Sequence, residues 1–440
     1  MKKYTTYYNL HPFFSSIHMK NLFAFAILVI LMTVFPIENG HAEPLTLEDA
    51  VVVALGKNPQ AVEARESVAA AEARTGQTLS SYYPQLSVGA DWNKGRTFMT
   101  ATESIKPIEV TTSALYLKQT IYDFGRTAGT VASARSNTKA ATEMLTITRQ
   151  DLAFRVRAAF YSLLAAEKQV RAVRETVSAR DALYHQAQEF FNQGVRAKID
   201  VANAEANLYA ARTLLTQAEN NRDNARVELA NAMGITSLED RTLVESETIS
   251  AALPELSKAQ QKAIANRAEL KRLAAIKDSA AANLKTAKSG YLPILSGIVS
   301  IGYADKTAPP DGEVWAVGLN LTVPIFSGFS TVEQEKEAVA LMRVVEAQET
   351  DVRLQIVKET EFAWRGMKEA SSRIASTEKE MAAARENRIL AEGRYHEGVG
   401  NIIEITDAQS QALNGETAHI QAIYDYHIAS ARFNRAVGKE

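Results

Sequence analysis

The chain contains no cysteine. That absence removes disulfides, thiolate zinc sites, iron–sulfur clusters and cysteine nucleophiles, as well as the lipidated cysteine of bacterial lipoproteins. Neither sign of charge is in excess: 49 Lys+Arg against 51 Asp+Glu leave −2. Nucleic-acid binders usually carry a basic surplus, so no nucleic-acid partner is expected. Histidine is sparse. Beyond residue 42 only His185, His396, His419 and His427 remain, at no metal-ligand spacing. No metal or other cofactor is expected, and surface or structural roles fit these four. G-x-S-x-G, G-x-x-x-x-G-K and H-E-x-x-H are all missing, so no catalytic site is expected. Proline is scarce too: 11 in all, with none from 108 to 253 or from 325 to 440.

The one long apolar run, Leu22 to Phe35, follows Met19-Lys20 and precedes Gly40-His41-Ala42. A charged start, an apolar segment and a small-x-small exit have the form of a secretory signal over 1–42, cleaved after Ala42. Met19 is a possible true start. The run falls short of the roughly 20 apolar residues that span a bilayer; an uncleaved inner-membrane anchor is the alternative. No later segment could cross a membrane as a helix. Cleavage would leave 46 basic and 50 acidic residues, net −4.

The remaining chain is written twice. Ser80–Ser87 (SSYYPQLS) matches Ser289–Ser296 (SGYLPILS) at an offset of 209, and Phe191–Val195 (FNQGV) matches Tyr395–Val399 (YHEGV) at 204. At the second offset Asp200 falls on Glu404 and Ala232-Met233-Gly234 on Ala436-Val437-Gly438. A repeat of this period signals tandem architecture, here 43–253 and 254–440. The offset changes by five between Pro84 and Tyr122, which suggests an exposed loop.

Each copy runs helix, short β section, long helix. Arg126–Gln193 and Ser330–Glu397 are both 68 residues without proline, rich in helix formers. At 1.5 Å per residue each would be on the order of 100 Å long. Apolar seams at 4,3 spacing (Leu145, Leu152, Val156, Ala159, Leu163, Ala166, Val170, Val173, Val177, with Arg149 the misfit; then Ile356, Ala363, Met367, Ala370, Ile374, Met381) predict coiled-coil-like packing. The β sections alternate: Leu86, Val88, Ala90 and Trp92 on one face, and Trp315, Val317, Leu319, Leu321 and Val323 on the matching one. Strands are predicted at about 84–96, 112–122, 293–304 and 313–324. This alternation suits either a transmembrane strand or a soluble half-buried one. Four strands cannot close a barrel in one chain, since single-chain barrels start at about eight. In lipid, unpaired edges would force oligomerisation.

Several motifs now stand in order: Leu45-Thr46-Leu47-Glu48-Asp49-Ala50, Asn58-Pro59, Tyr82-Tyr83-Pro84, Ile121–Arg126 (IYDFGR), its partner Pro324–Gly328 (PIFSG), and Gly194…Asp200 with Gly398…Glu404. Together they resemble the TolC-type outer-membrane efflux family over nearly all of the chain after residue 42. The resemblance implies a mainly α fold with β. Three chains would pool four strands each into a trimeric outer-membrane β-barrel, continued by a long α-helical periplasmic barrel. It implies the passive exit duct of a tripartite efflux pump or type I secretion system. Partners would be a periplasmic adaptor and an inner-membrane transporter of RND, ABC or MFS type, with outer-membrane lipids around the strands. A periplasmic coiled-coil adaptor is the alternative, but adaptors carry one hairpin rather than two matched copies.

The resemblance also assigns residues. Gly194 and Gly398 would turn the two hairpins at the periplasmic end. Asp200 and Tyr395 match positions that link the hairpins, and a Tyr hydroxyl can donate to a carboxylate. Glu404 and Asp407 match acids that ring the constriction; threefold repetition would gather six carboxylates that attract cations. Family members often carry a basic residue where this chain has Gly400, and Arg196 holds the equivalent place on the first hairpin. Arg196 is therefore expected to substitute as partner of Glu404 or Asp407. Tyr122, Phe124, Gly125, Phe326 and Gly328 lie where strand gives way to helix, as interfacial anchors or as junction core.

Overall fold

In a computed structural model of the protein, residues 44–238, 241–245 and 253–439 are described. The expected signal at 1–42 lies outside them. Leu45–Leu238 together with Leu243 onward form one compact unit. Among the described residues no helix is long and apolar enough to cross a membrane.

Thr46 starts the first helix, α1 (Leu47–Lys57). Its hydroxyl oxygen accepts from the Asp49 amide at 3.2 Å and donates to the Asp49 carboxylate at 2.7 Å. Thr46 is thus a side-chain N-cap, with Asp49 in the Glu position of a capping box but bonded to the Thr46 hydroxyl rather than to its amide. Asn58 ends α1 and caps α2 (Pro59–Leu79), where Pro59 occupies a first-turn site that needs no amide hydrogen. Two long strands follow, β1 (Gln85–Met99) and β2 (Ser104–Tyr122), then α3 (Arg126–Asn192) and α4 (Lys198–Met233). The second copy repeats the order: α5 (Leu256–Asn266), α6 (Ala268–Lys288), β3 (Ile294–Asp305), β4 (Glu313–Thr322), α7 (Ser330–His396) and α8 (Ile402–Ala436). Both long helices have 67 residues, close to 100 Å at the α-helical rise.

The four strands form one antiparallel sheet, β1-β2-β3-β4. Its register places Val88, Leu115, Ile301 and Trp315 in one row and Leu86, Leu117, Val299 and Val317 in the next. Residues directly opposite share a face, so the apolar residues of all four strands lie together. Trp315 is 72% and Val317 70% exposed, so nothing in this chain covers them. Ser87, Tyr116, Ser300 and Ala316 make the matching row on the other face. The β1–β2 ladder is longer than the alternation suggested, continuing to Met99↔Ser104. Polar residues such as Lys94 and Glu109 hide that extension from a hydrophobicity reading, yet they pair across the strands at 2.9 Å.

The helices repeat the strand order. Near the sheet α2 packs on α3, α3 on α6 and α6 on α7; toward the hairpin turns the sequence is α4, α3, α8, α7. One layer of helices thus continues one layer of strands. The α3 seam is buried at Leu152, Val156, Ala159, Leu163, Ala166, Val170 and Val173, while Arg149 faces out. The largest core joins Leu152, Val156, Ala159 and Leu163 to Leu45, Leu47, Leu229, Met233 and Tyr424. A separate core at the hairpin tips gathers Leu183, Ala187, Ala204, Ala391, Tyr395, Ile402, Ile405 and Ala408.

Candidate gate and membrane junction

Gly194 and Gly398 turn the two hairpins with φ of +74° and +76°, where a Cβ would be strained. Helix-end amides fold back in both: Val195 N reaches Phe190 O at 2.9 Å and Val399 N reaches Arg394 O at 3.0 Å. Gly400 answers the family departure sterically. A Cβ there would lie 2.9 Å from Tyr395 N and 3.1 Å from Arg394 C, so a long basic side chain does not fit this turn.

Arg196 reaches across from the first hairpin to that turn. Its Nη2 donates to Gly398 O at 3.1 Å and Gly400 O at 2.7 Å, and its guanidinium lies 5.4 Å from the Tyr395 ring centroid. Within this chain it does not take the expected acids. Glu404 pairs instead with Arg394, Nε to Oε1 at 2.8 Å. The geometry is local: Arg394 closes α7 and Glu404 opens α8 across the same tight turn, while the carbonyls of that turn occupy Arg196. Arg394 escaped sequence reasoning because it lies outside the glycine motif, although its place one residue before Tyr395 puts it at the turn.

Tyr395 is fully buried, and its hydroxyl has no hydrogen-bond partner. The expected donation to Asp200 is therefore not made in this chain. Burial first, then the nearby Asp200 carboxylate, push the phenol above its ordinary value against the opposing pull of Arg196. Asp200 lies half-buried in the first turn of α4, where the helix dipole favours a negative charge. Asp407 is exposed one turn beyond Glu404, and Asn401 caps their helix by accepting from the Glu404 amide at 2.8 Å.

At the other end, β2 passes into α3 through Phe124 (φ +55°) and Gly125 (φ +91°), and β4 into α7 through Gly328 (φ +61°) and Phe329 (φ +64°). Asp123 accepts from the Gly125 and Thr127 amides; at the same offset Ser327 holds Thr331. Tyr122 and Phe124 meet edge to face at 4.6 Å, Phe326 and Phe329 at 5.5 Å. Tyr122 (57%) and Phe326 (75%) are exposed in the single chain.

An open four-stranded sheet with an uncovered apolar face, running into a one-layer helical wall and written twice, defines one section of the wall of a tubular duct. The chain belongs to the outer membrane efflux protein family, whose model matches residues 50–235 and 259–439. Outer membrane protein TolC of Vibrio cholerae is 24% identical over 385 residues, 84% of this chain and 85% of that protein. Outer membrane efflux protein BepC of Brucella suis is 25% identical over 406 residues, 90% and 85% of the two chains. The solved outer-membrane channel OprN matches with a TM-score of 0.79 at 20% identity, over 90% of each chain, a likeness of fold alone.

Proposed function

We infer that this protein is the outer-membrane exit duct of a tripartite efflux pump or type I secretion system. It passively carries substrates delivered by an inner-membrane transporter across the periplasm and the outer membrane. Family membership favours this over an adaptor, and catalysis plays no part in it. The sheet carries the reading. β1 and β4 each keep an unpaired edge, which is untenable in lipid, and three copies would close a twelve-stranded cylinder. The helical wall has two open sides as well. Exposed Leu354, Phe362, Ile389 and Leu390 on α7 would meet exposed Val62, Tyr209 and Val227 on α2 and α4 of the next copy. That contact is head-to-tail, the kind that closes rings.

The hairpin tips form the gate of this reading. Arg196 and the buried Tyr395 hold the tips, with the Asp200 carboxylate near Tyr395, and Glu404 with Asp407 ring the constriction. A periplasmic adaptor opens it by favouring a splayed state, and the coupled transporter, of RND, ABC or MFS type, supplies the energy. Purified protein in planar bilayers is the test. Cation-preferring channels are expected, with the preference abolished when Glu404 and Asp407 are both changed to Ala. A chain that stays monomeric and water-soluble without detergent overturns the reading.

A further inference from the structure

Arg180, on α3, is 5% exposed, yet among the described residues no carboxylate lies within ion-pair distance of it. Other arginines toward this end of the wall find one: Arg174 with Glu219, Arg212 with Asp181, Arg385 with Glu416, Arg394 with Glu404. Arg180 instead bridges three helices. Its Nη1 donates to Asn207 O on α4 at 3.1 Å, and its Nη2 to Ser410 Oγ on α8 at 2.9 Å. Its Nε is buried without a partner. A buried charge without a counter-charge is costly. The second repeat does without one, carrying Ala384 at the corresponding offset of 204. The strap therefore runs one way, from the first hairpin to α8 of the second.

What lies beyond the strap is the gate. The Ser410 hydroxyl donates a hydrogen bond to Thr406 O at 2.8 Å, and the Thr406 hydroxyl donates one to Ile402 O at 2.9 Å. Hydroxyl bonds back to the carbonyl four residues earlier weaken and bend helices. The stretch of α8 from Ile402 to Ser410, which carries Glu404 and Asp407, holds two such bonds in succession. Its Ile402 end meets the turn that Arg196 holds through the carbonyls of Gly398 and Gly400. Beyond the apolar tip core, the first hairpin holds this segment and its turn through two arginines that differ in burial: Arg180 is sealed in and Arg196 is half-exposed.

We propose that Arg180 is a positioning residue of the gate, a fixed fulcrum about which the 402–410 segment of α8 swings when the Arg196 latch lets go. This rests on the gate reading above. Arg180 touches no substrate; it sets where the motion stops. Without the strap the segment loses its upper anchor, and the closed arrangement loses a hydrogen bond from a charged donor. The closed-to-open ratio should fall by about tenfold.

The test compares Arg180→Met, Ser410→Ala and Arg196→Ala in full-length protein assembled in outer membranes and recorded in planar bilayers. Arg180→Met and Ser410→Ala are each expected to raise resting conductance about tenfold, with membrane yield and heat-stable assembly unchanged. Arg180→Lys, which keeps the charge but cannot reach both partners, should fall between. If Arg196→Ala opens the channel while Arg180→Met and Ser410→Ala conduct like the parent, the fulcrum is overturned and the gate stands. Three silent variants would remove both. Should Arg180→Met fail to assemble, Ser410→Ala decides alone, and parent-like conductance there rejects the proposal.

Discussion

Asn58 and Arg267 hold corresponding places at the helix elbows of the two repeats, and each donates to the carbonyl near the end of its own repeat. Asn58 Nδ2 meets Ala232 O at 3.0 Å and Arg267 Nη1 meets Ala436 O at 3.2 Å. Two different side chains thus fasten the same joint. Asn58 does it as a neutral amide that also caps α2. Arg267 does it as a buried cation that in addition binds Glu269 at 2.6 Å and Glu359 at 2.9 Å. Losing Arg267 leaves Glu269 and Glu359 to Arg435 alone, at 3.8 and 3.2 Å, so Arg267→Ala should destabilise by about 3 kcal/mol. Asn58→Ala removes a cap and should cost about 0.5–2 kcal/mol. Thermal unfolding followed by circular dichroism would rank them, and equal losses would contradict this account.

The same cluster sets an acid limit. Burial alone would raise the Glu269 carboxyl, but the Arg267 hydrogen bonds and charge outweigh it and hold the group below its usual range. A carboxyl depressed by folding contributes stability above its unfolded value, about 4.3. That contribution is lost as pH falls through the folded value. Melting temperature should therefore drop below about pH 4 more steeply in the parent than in Glu269→Gln. Parallel curves from pH 7 to pH 3 would refute it.

Glycines at similar dihedral angles should differ in what they tolerate. Gly234 (φ +72°) would place a Cβ 2.5 Å from Asn58 Cα, whereas Gly194 (φ +74°) has nothing within 4 Å. Gly194→Ala is expected to cost only the left-handed strain, about 1–2 kcal/mol. Gly234→Ala adds a backbone collision at the elbow and should lower the assembled yield as well. Melting temperatures and membrane yields of the two variants give the comparison.

The two faces of β4 make a membrane prediction. Val317 belongs to the uncovered apolar face and Asn320 to the opposite one, opposed to Ser296. An arginine on a lipid-facing strand position costs about 2–4 kcal/mol at the bilayer midplane, while a lumen position tolerates it. Val317→Arg should therefore block outer-membrane insertion, and Asn320→Arg should insert and alter conductance. Cell fractionation followed by bilayer recording separates them; insertion of both variants would count against the assignment of faces.

Arg394 neutralises Glu404 within this chain. Removing it with Arg394→Ala should leave the constriction more negative and raise its cation preference. The reversal potential across a potassium chloride gradient measures this. A shift toward anions would mean that Glu404 does not face the pore.

The repeat, the long helices and the strand parity were legible because each is a period in the sequence, and periods survive without knowledge of neighbours. Alternating Trp315, Val317, Leu319 and Leu321 gave the face directly. The outer part of the β1–β2 hairpin was not legible, since cross-strand bonds and the Lys94–Glu109 pair hold it rather than apolar alternation. At the tips the glycine motif located the turns. It could not say that Arg196 would bind carbonyls, or that Tyr395 would have its hydroxyl sealed off, because both depend on side-chain directions across two hairpins. Arg180 carried no signal at all. It reads as one of many arginines on a helix until three helices close around it.

Equal length in α3 and α7 makes the two copies a matched pair of rulers. One added turn would carry a tip about 5.4 Å further from the membrane. Made in one copy only, that change would slide Arg196 past the carbonyls it grips and shear the tip. Insertions in this scaffold are therefore expected to be tolerated only in register, copied into both halves, so that any gain in reach is inherited twice.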